Sequence, residues 1–304
     1  MRIIFMGTPD FAVPCLNALI EAGHNVICVV AQPDKPQGRG KKLVSPPTIQ
    51  RARELGIPTR QPRRIRKGPF VEWMQEANAD LAVVVAYGRI LRKNLLEAPR
   101  LGCINVHASL LPKYRGAAPI HWAVINGEEK TGVCTMQMDE GMDTGDVLMR
   151  WECSIAPDES TGELWERLKH AGAKLLCKTL ECLEDIMPSP QDHENATHAP
   201  MLQKSDGEVD WSQPAQSIHN RIRGCTPHPG AWTTFRGLKL KIWKTRVCED
   251  QGKAGTVIKA KKRLLIAAGT QSIEILEAQL PGKKRGPAHN LINGARIALD
   301  EKLG

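Results

Sequence analysis

No apolar run among these 304 residues approaches the ~20 consecutive residues that a membrane-spanning helix needs, so the chain is expected to work in water and away from membranes. The N-terminus passes from Arg2 through Ile3, Ile4 and Phe5 straight into Gly7-Thr8-Pro9-Asp10, too short an apolar stretch for a secretory signal. A C-x-x-C pair and any His/Cys grouping at zinc spacing are also missing, and the nine cysteines, an odd number, are scattered from Cys15 to Cys248. Reduced, mostly buried thiols in a cytoplasmic protein without a metal are therefore expected. Internal repeats and low-complexity tracts are absent, and 41% hydrophobic with 25% charged residues gives no case for disorder.

What is present is charge of uneven placement. The chain carries +9 in total, and from Asp206 onward 17 basic residues face 9 acidic ones, so +8 lies in that segment. Lys and Arg beside phosphates displace condensed counterions, so such a segment points to a polyanionic partner. A basic surface that only aids solubility is the plainer alternative.

The length predicts two domains. Arg2 to Met6 is a short apolar run, followed by a Gly/Pro turn and an amphipathic stretch from Phe11 to Glu21: strand, turn, helix. Asn25 to Ala31 and Leu81 to Ala86 are further continuous apolar runs, the second preceded by a helix-like Phe70 to Ala79. Continuous apolarity signals strands covered on both faces, so the first domain is predicted to be α/β, a doubly wound, mostly parallel sheet with its site beyond the carboxyl ends of the strands. Strands over Thr131 to Met138 and Asp146 to Ile155 precede a helix from Ser160-Thr161 to about Ile186. The aperiodic Pro188 to Pro200 reads as a linker. Beyond it, Ala231 to Phe235, Leu238 to Trp243, Gly255 to Ile258, Leu264 to Ala267 and Ser272 to Leu280 predict a smaller β-rich, OB-like barrel. The expected divisions are 1–188, 189–205 and 206–304.

Gly7-Thr8-Pro9 lacks the full G-x-G-x-x-G, and no acidic residue closes the second strand, which argues against a nicotinamide enzyme. The chemistry-bearing stretch is Ile104-Asn105-Val106-His107-Ala108-Ser109-Leu110-Leu111-Pro112, followed later by Met138-Asp139-Glu140-Gly141-Met142-Asp143-Thr144-Gly145. On a strand Asn105 and His107 share a face while Val106 points to the core. An Asn amide can donate to an oxyanion, a histidine can shuttle protons near neutral pH, and a carboxylate beside it can fix its tautomer. Any one of them alone has a plain reading: a turn cap, a core histidine, an Asx-turn residue.

Taken together with Arg115-Gly116-Ala117-Ala118-Pro119-Ile120, Phe5 to Ala12, Val85-Ala86-Tyr87-Gly88, Lys283-Lys284-Arg285 and Asn293-Gly294, these segments closely resemble the methionyl-tRNA formyltransferase family over nearly the whole chain. The resemblance implies a Rossmann-like domain using 10-formyltetrahydrofolate, with Asn105, His107 and Asp143 as the catalytic trio and Ser109, Leu110, Leu111 and Pro112 lining the folate site. It implies direct transfer without a covalent formyl-enzyme, with Cys103 structural. Family members often read Tyr-Gly-Leu-Ile-Leu-Pro where this chain has Tyr87-Gly88-Arg89-Ile90-Leu91-Arg92, which sets two charges beside the expected pteridine pocket.

The trio is also similar to that of glycinamide ribonucleotide formyltransferase and the formyltetrahydrofolate hydrolases, so the acceptor must be argued elsewhere. The basic second domain and the insertion after the second strand favour initiator methionyl-tRNA. In that insertion Gly38 and Gly40 are expected to leave a mobile loop, and Lys35, Arg39, Lys41 and Lys42 to meet phosphates, Arg39 foremost. Arg221, Arg223, Lys259 and Arg263, among other cations, are candidates to track RNA, with Trp232 and Trp243 expected in the core. The protein is expected to be a monomer.

Overall fold

Ile3, Ile4, Phe5 and Met6 are four consecutive residues with no solvent exposure, which only a strand covered on both faces can achieve. They form β1 (Arg2–Gly7), the middle of the first sheet, in a computed structural model that describes every residue from Met1 to Gly304 except Arg39 and Lys41. A single 3-10 turn, Asp10–Ala12, leads into α1 (Val13–Glu21), and β2 (Asn25–Val30) pairs parallel to β1. The insertion is a two-stranded ladder, β3 (Lys35–Gln37) against β4 (Lys42–Val44), so its flanks are paired where a loose loop was expected.

The chain continues through α2 (Pro47–Glu54), β5 (Thr59–Arg60), α3 (Pro69–Glu76), β6 (Leu81–Val85), α4 (Lys93–Leu96) and β7 (Cys103–His107). Proline begins both α2 and α3, where its preset φ suits the first turn and its missing N–H costs nothing. After α5 (Pro119–Ile125) come β8 (Lys130–Gln137), β9 (Val147–Ser154) and α6 (Thr161–Glu181). At the start of α6 the Ser160 N–H donates to Glu163 Oε2 at 2.8 Å and the Glu163 N–H returns to Ser160 Oγ at 3.3 Å, the capping box that the Ser-Thr signal foretold.

The strand order is β5-β2-β1-β6-β7-β8-β9, parallel from β5 to β7, with β8 antiparallel to β7. The mostly parallel α/β sheet read from the sequence is what forms, and it brings the carboxyl ends of β6 and β7 side by side.

Residues as far as Pro200 belong to this first unit, and Met201–Gly304 make the second together with Ile120–Lys130 and Ser154–Leu164. The second unit holds α7 (Ala215–Gly224), β10 (Ala231–Phe235), β11 (Leu238–Cys248), β12 (Val257–Ala260), β13 (Leu264–Ala267), β14 (Ser272–Gln279), β15 (Gly286–Pro287) and α8 (Ala288–Ala295). Its sheet is antiparallel, ordered β10-β11-β14-β13-β12, with β15 on β14. The sequence pattern ended β11 at Trp243. The strand runs on to Cys248 because the register shifts around Lys244, a bulge that breaks the alternation without ending the pairing.

The last residues reach both edges of that sheet. Val257 N donates to Glu301 O and Leu303 N to Gly255 O, each at 2.8 Å, while Gly304 N donates to Thr234 O at 3.0 Å. Leu303 thus bridges to Phe235 of β10 and Lys302 to Thr256 beside β12, so the tail closes an otherwise open sheet and leaves it without exposed edges there. Among the described residues no helix is long and apolar enough to cross a membrane.

Candidate active site

The alternation along β7 turns Val106 into the core and Asn105 and His107 to the opposite face, as the spacing predicts; all three are nonetheless buried. Asp143 comes to the same place from the loop after β8. Its φ of +56° lies in the left-handed region, where a short polar side chain is among the few tolerated. The turn before it is held by Thr144 Oγ1 donating to Asp139 Oδ1 at 2.7 Å and by the Gly141 N–H at 3.1 Å. At Gly145 an added Cβ would collide with the Gln137 carbonyl oxygen, so the loop closes this tightly only around glycine.

The three side chains converge on the Asp143 carboxylate. Asn105 Nδ2 donates to Oδ1 at 3.4 Å, the Gly116 N–H donates to Oδ2 at 2.8 Å, and His107 Nδ1 stands 3.7 Å from Oδ2. The other ring nitrogen of His107, Nε2, lies 2.9 Å from the Tyr114 carbonyl oxygen. A carbonyl only accepts, so Nε2 carries the proton and Nδ1 is the atom free to gain one. From sequence, tautomer control fell to Asp143; the geometry gives it to Tyr114. The 3.7 Å gap between Nδ1 and Oδ2 exceeds a hydrogen bond.

The segment expected to line the folate site is only partly open. Ser109 is fully buried with its hydroxyl donating to Lys113 O at 2.6 Å, and Leu111 packs with Cys134, Met136 and Val147. Leu110 is half-buried, leaving Leu110 and Pro112 as the apolar side chains least committed to the interior. At the adjacent end of β6, Tyr87 is buried with its hydroxyl unpartnered among the described residues, and burial pushes its pKa up to about 12. A buried phenol without a partner is uncommon, and a polar ring such as a pterin would satisfy it.

Arg89 does not point at random: its Nε donates to Gln32 Oε1 at 3.0 Å and its Nη1 to Arg63 O at 2.9 Å. With Arg63, Arg64, Ile65, Arg66, Lys67 and Ile90 it lines a cavity of about 490 Å³. Arg92 is exposed at the N-cap of α4.

Of the residues expected to meet tRNA, Lys35 and Lys42 are exposed on the β3–β4 ladder, while Arg39 and Lys41 lie outside the described residues. Several second-domain cations prove to be engaged. Arg223 is buried, with Nη1 donating to Glu159 O at 2.9 Å, while Arg263 pairs with Glu274 at 2.7 Å and Lys259 with Asp250 at 2.6 Å. Trp232 and Trp243, expected in the core, instead occupy the outward positions of β10 and β11, because the inward ones are Ala231, Thr233, Phe235, Leu240 and Ile242. Lys239 lies 3.6 Å over the Trp232 ring, and Arg285 lies 5.1 Å from the Trp243 ring.

Burial pushes the Cys103 thiol up to about 12, and its Sγ contacts the Leu95 and Leu96 carbonyls, so it is a packed core group rather than a nucleophile. Among the described residues no three His, Cys, Asp or Glu side chains gather as metal ligands do. The sequence reading missed the Tyr114 carbonyl and the Gly116 N–H, which are main-chain groups and carry no signature. It also missed Gln191, which sat in an aperiodic stretch that offered no signal at all.

A family model described as Formyl transferase matches residues 1–180, and one described as Formyl transferase, C-terminal domain, matches residues 201–296. The methionyl-tRNA formyltransferase of Solibacter usitatus is 49% identical over 307 residues, covering 100% of this chain and 99% of that protein. That of Geobacter metallireducens is 50% identical with the same coverage. Among solved structures, WlaRD, a sugar 3N-formyl transferase crystallised with dTDP and 5-N-formyl-THF, superposes with a TM-score of 0.69 at 17% identity, covering 93% of this chain and 99% of that one. HypX from Aquifex aeolicus in complex with tetrahydrofolic acid gives a TM-score of 0.65 at 17% identity, covering 99% and 48%. These two likenesses show the fold. With both halves matched and relatives aligned from end to end, the chain belongs to the methionyl-tRNA formyltransferase family.

Proposed function

We propose that this chain moves the formyl group of 10-formyltetrahydrofolate to the α-amino group of initiator methionyl-tRNA, with Asn105, His107 and Asp143 carrying the chemistry. The observation that carries the reading is the shared Asp143 carboxylate, on which an amide, a main-chain N–H and an imidazole meet at the carboxyl end of β7. The amine lone pair attacks the formyl carbon and the carbonyl electrons move onto oxygen. Asn105 spends one N–H on Asp143 and offers the other to that oxyanion. His107 Nδ1 takes the proton released by the attacking amine, and the imidazolium pairs with Asp143 while Tyr114 holds the opposite edge. Collapse re-forms the carbonyl, breaks the bond to folate N10 and returns the proton from Nδ1 to that nitrogen. Formylated amine and tetrahydrofolate leave, and no step requires a covalent enzyme intermediate.

Replacing Asn105 by alanine is expected to lower kcat about 10²–10³-fold with little change in either KM, because the lost contact exists chiefly in the tetrahedral species. Steady-state kinetics checks this.

For the acceptor, the exposed Lys35 and Lys42 and, in the second unit, the half-buried Trp232 and Trp243 beneath Lys239 and Lys241 suit a phosphate backbone with bases able to stack. The deciding assay supplies 10-formyltetrahydrofolate with charged initiator tRNA and glycinamide ribonucleotide in competition. Formylmethionyl-tRNA as product supports the reading. Formylated glycinamide ribonucleotide instead would overturn the acceptor and keep the trio. Double charge reversal at Lys239 and Lys241 is expected to raise KM for the tRNA, flatten its salt dependence, and leave KM for folate alone.

A further inference from the structure

The segment from Ser189 to Ala199, aperiodic in sequence, is tied at three places to the loops that hold the trio. Ser189 and Val147 exchange two main-chain hydrogen bonds of 2.9 Å just beyond the Asp143 loop. Arg115 N donates to Thr197 O at 2.8 Å and Ala199 N to Arg115 O at 2.7 Å, while Tyr114 N donates to Thr197 Oγ1 at 2.8 Å. Between these ties lies Gln191, almost fully buried, with every polar valence used. Its Nε2 donates to the main-chain carbonyls of Asp143 at 2.9 Å and Gly145 at 2.6 Å. Its Oε1 accepts from Arg115 Nε at 3.1 Å and Nη2 at 2.8 Å.

We propose that Gln191 is a positioning residue for the formyl transfer: one side-chain amide clamps the Asp143 loop to Arg115–Gly116 and so sets the spacing between Asp143 and His107. The orientation of the amide is unambiguous, since a guanidinium only donates and a carbonyl only accepts. The choice of residue is telling. Arg115 is itself buried, and a buried guanidinium is most strongly satisfied by a carboxylate. Here it has a neutral amide oxygen and, 3.1 Å from Nη2, the Nδ1 of His193. A glutamate would hold Arg115 more tightly but has no hydrogen to give the Asp143 and Gly145 carbonyls; a lysine could donate but not accept. Only an amide of this length does both. The clamp also bears on the carboxylate from both sides, because the residue after Arg115 supplies the N–H that holds Asp143 Oδ2. A misplacement of about 1 Å at a reacting group can cost on the order of 10²-fold in rate, so the hold on this loop matters to turnover.

The proposal rests on the catalytic reading of His107 and Asp143, and the test separates the two. Gln191→Glu keeps the grip on Arg115 and removes both donors to the loop. In the full-length protein it is expected to lower the melting temperature by a few degrees, since two buried carbonyls lose their donor, while kcat falls about 10- to 100-fold, with both KM values within about twofold of wild type. In an Asp143→Asn background the same change is expected to have almost no further effect, since the two act through one group. Gln191→Asn, which keeps the amide but shortens its reach, serves if the glutamate variant does not fold, and is expected to lower kcat in the same way with both KM values nearly unchanged. A folded variant with wild-type kcat, or a full additional loss in the Asp143→Asn background, overturns the clamp. Wild-type turnover of Asp143→Asn alone would instead overturn the site reading beneath it.

Discussion

Replacing His107 by alanine is expected to lower kcat for formylation by about 10²–10⁴-fold while the protein stays folded and binds both substrates. The size follows from position rather than residue type. Tyr114 holds Nε2 as a donor, so Nδ1 is the one ring atom able to take the amine proton, and Asp143 waits 3.7 Å away for the charge that results. Alanine removes the proposed proton carrier and leaves the Asn105 and Gly116 donors on Asp143 in place. In the proposed mechanism the trio acts on one tetrahedral species, so the loss in an Asn105→Ala/His107→Ala double variant is expected to be well short of the product of the single losses. Single-turnover assays with methionyl-tRNA check both points, and a wild-type single-turnover rate in the alanine variant would remove His107 from the proposed proton transfer.

Removing residues 300–304 is the change with the largest expected effect on stability. It deletes main-chain bonds to Val257, Gly255 and Thr234, the paired carboxylate of Glu301 on Arg236, and the buried side chain of Leu303. Each main-chain bond is worth about 1 kcal/mol net and a buried leucine about 2–5 kcal/mol, so the sum approaches the ~5–15 kcal/mol that holds a typical domain together. Calorimetry is expected to show the second unit melting well below the first, with amide exchange accelerated in β10 and β12. Leu303→Ala, which keeps the main-chain bonds, should lose only the side-chain share. Equal destabilisation by the two variants would show that the side chain alone matters and that sheet closure contributes nothing.

How much of this was legible in the sequence depends on what kind of group does the work. The parallel sheet was readable because Ile3 to Met6 and Leu81 to Val85 are continuously apolar, and burial on two faces leaves that trace. Asn105 and His107 were readable because a two-residue period on a strand is a geometric statement. Asp143 was readable only through its motif context, since nothing in its spacing says that the loop after β8 returns to β7. The Tyr114 carbonyl and Gly116 N–H were invisible, as every residue owns such groups and only the fold decides which are aimed. Trp232 and Trp243 were expected in the core, and the alternation of β10 and β11 leaves them half-buried on the other face. The closing role of Lys302 and Leu303 was hidden because one small apolar residue among polar ones carries no period.

That the first unit extends through Pro200 bears on how such a chain can be cut and recombined. A fragment ending at 188 would retain Asn105, His107 and Asp143 yet lose Gln191 and the Thr197–Ala199 pairing, and its silence in an assay would say nothing about the need for a second domain. A chimera joined near 200 would carry that scaffolding with the chemistry, while residues 120–130 and 154–164 would still come from the donor of the catalytic half and would have to suit a foreign partner. Exchange of acceptor specificity between relatives is therefore best attempted as three matched segments rather than one, with the junctions set by packing instead of by the apparent end of the conserved-looking motifs.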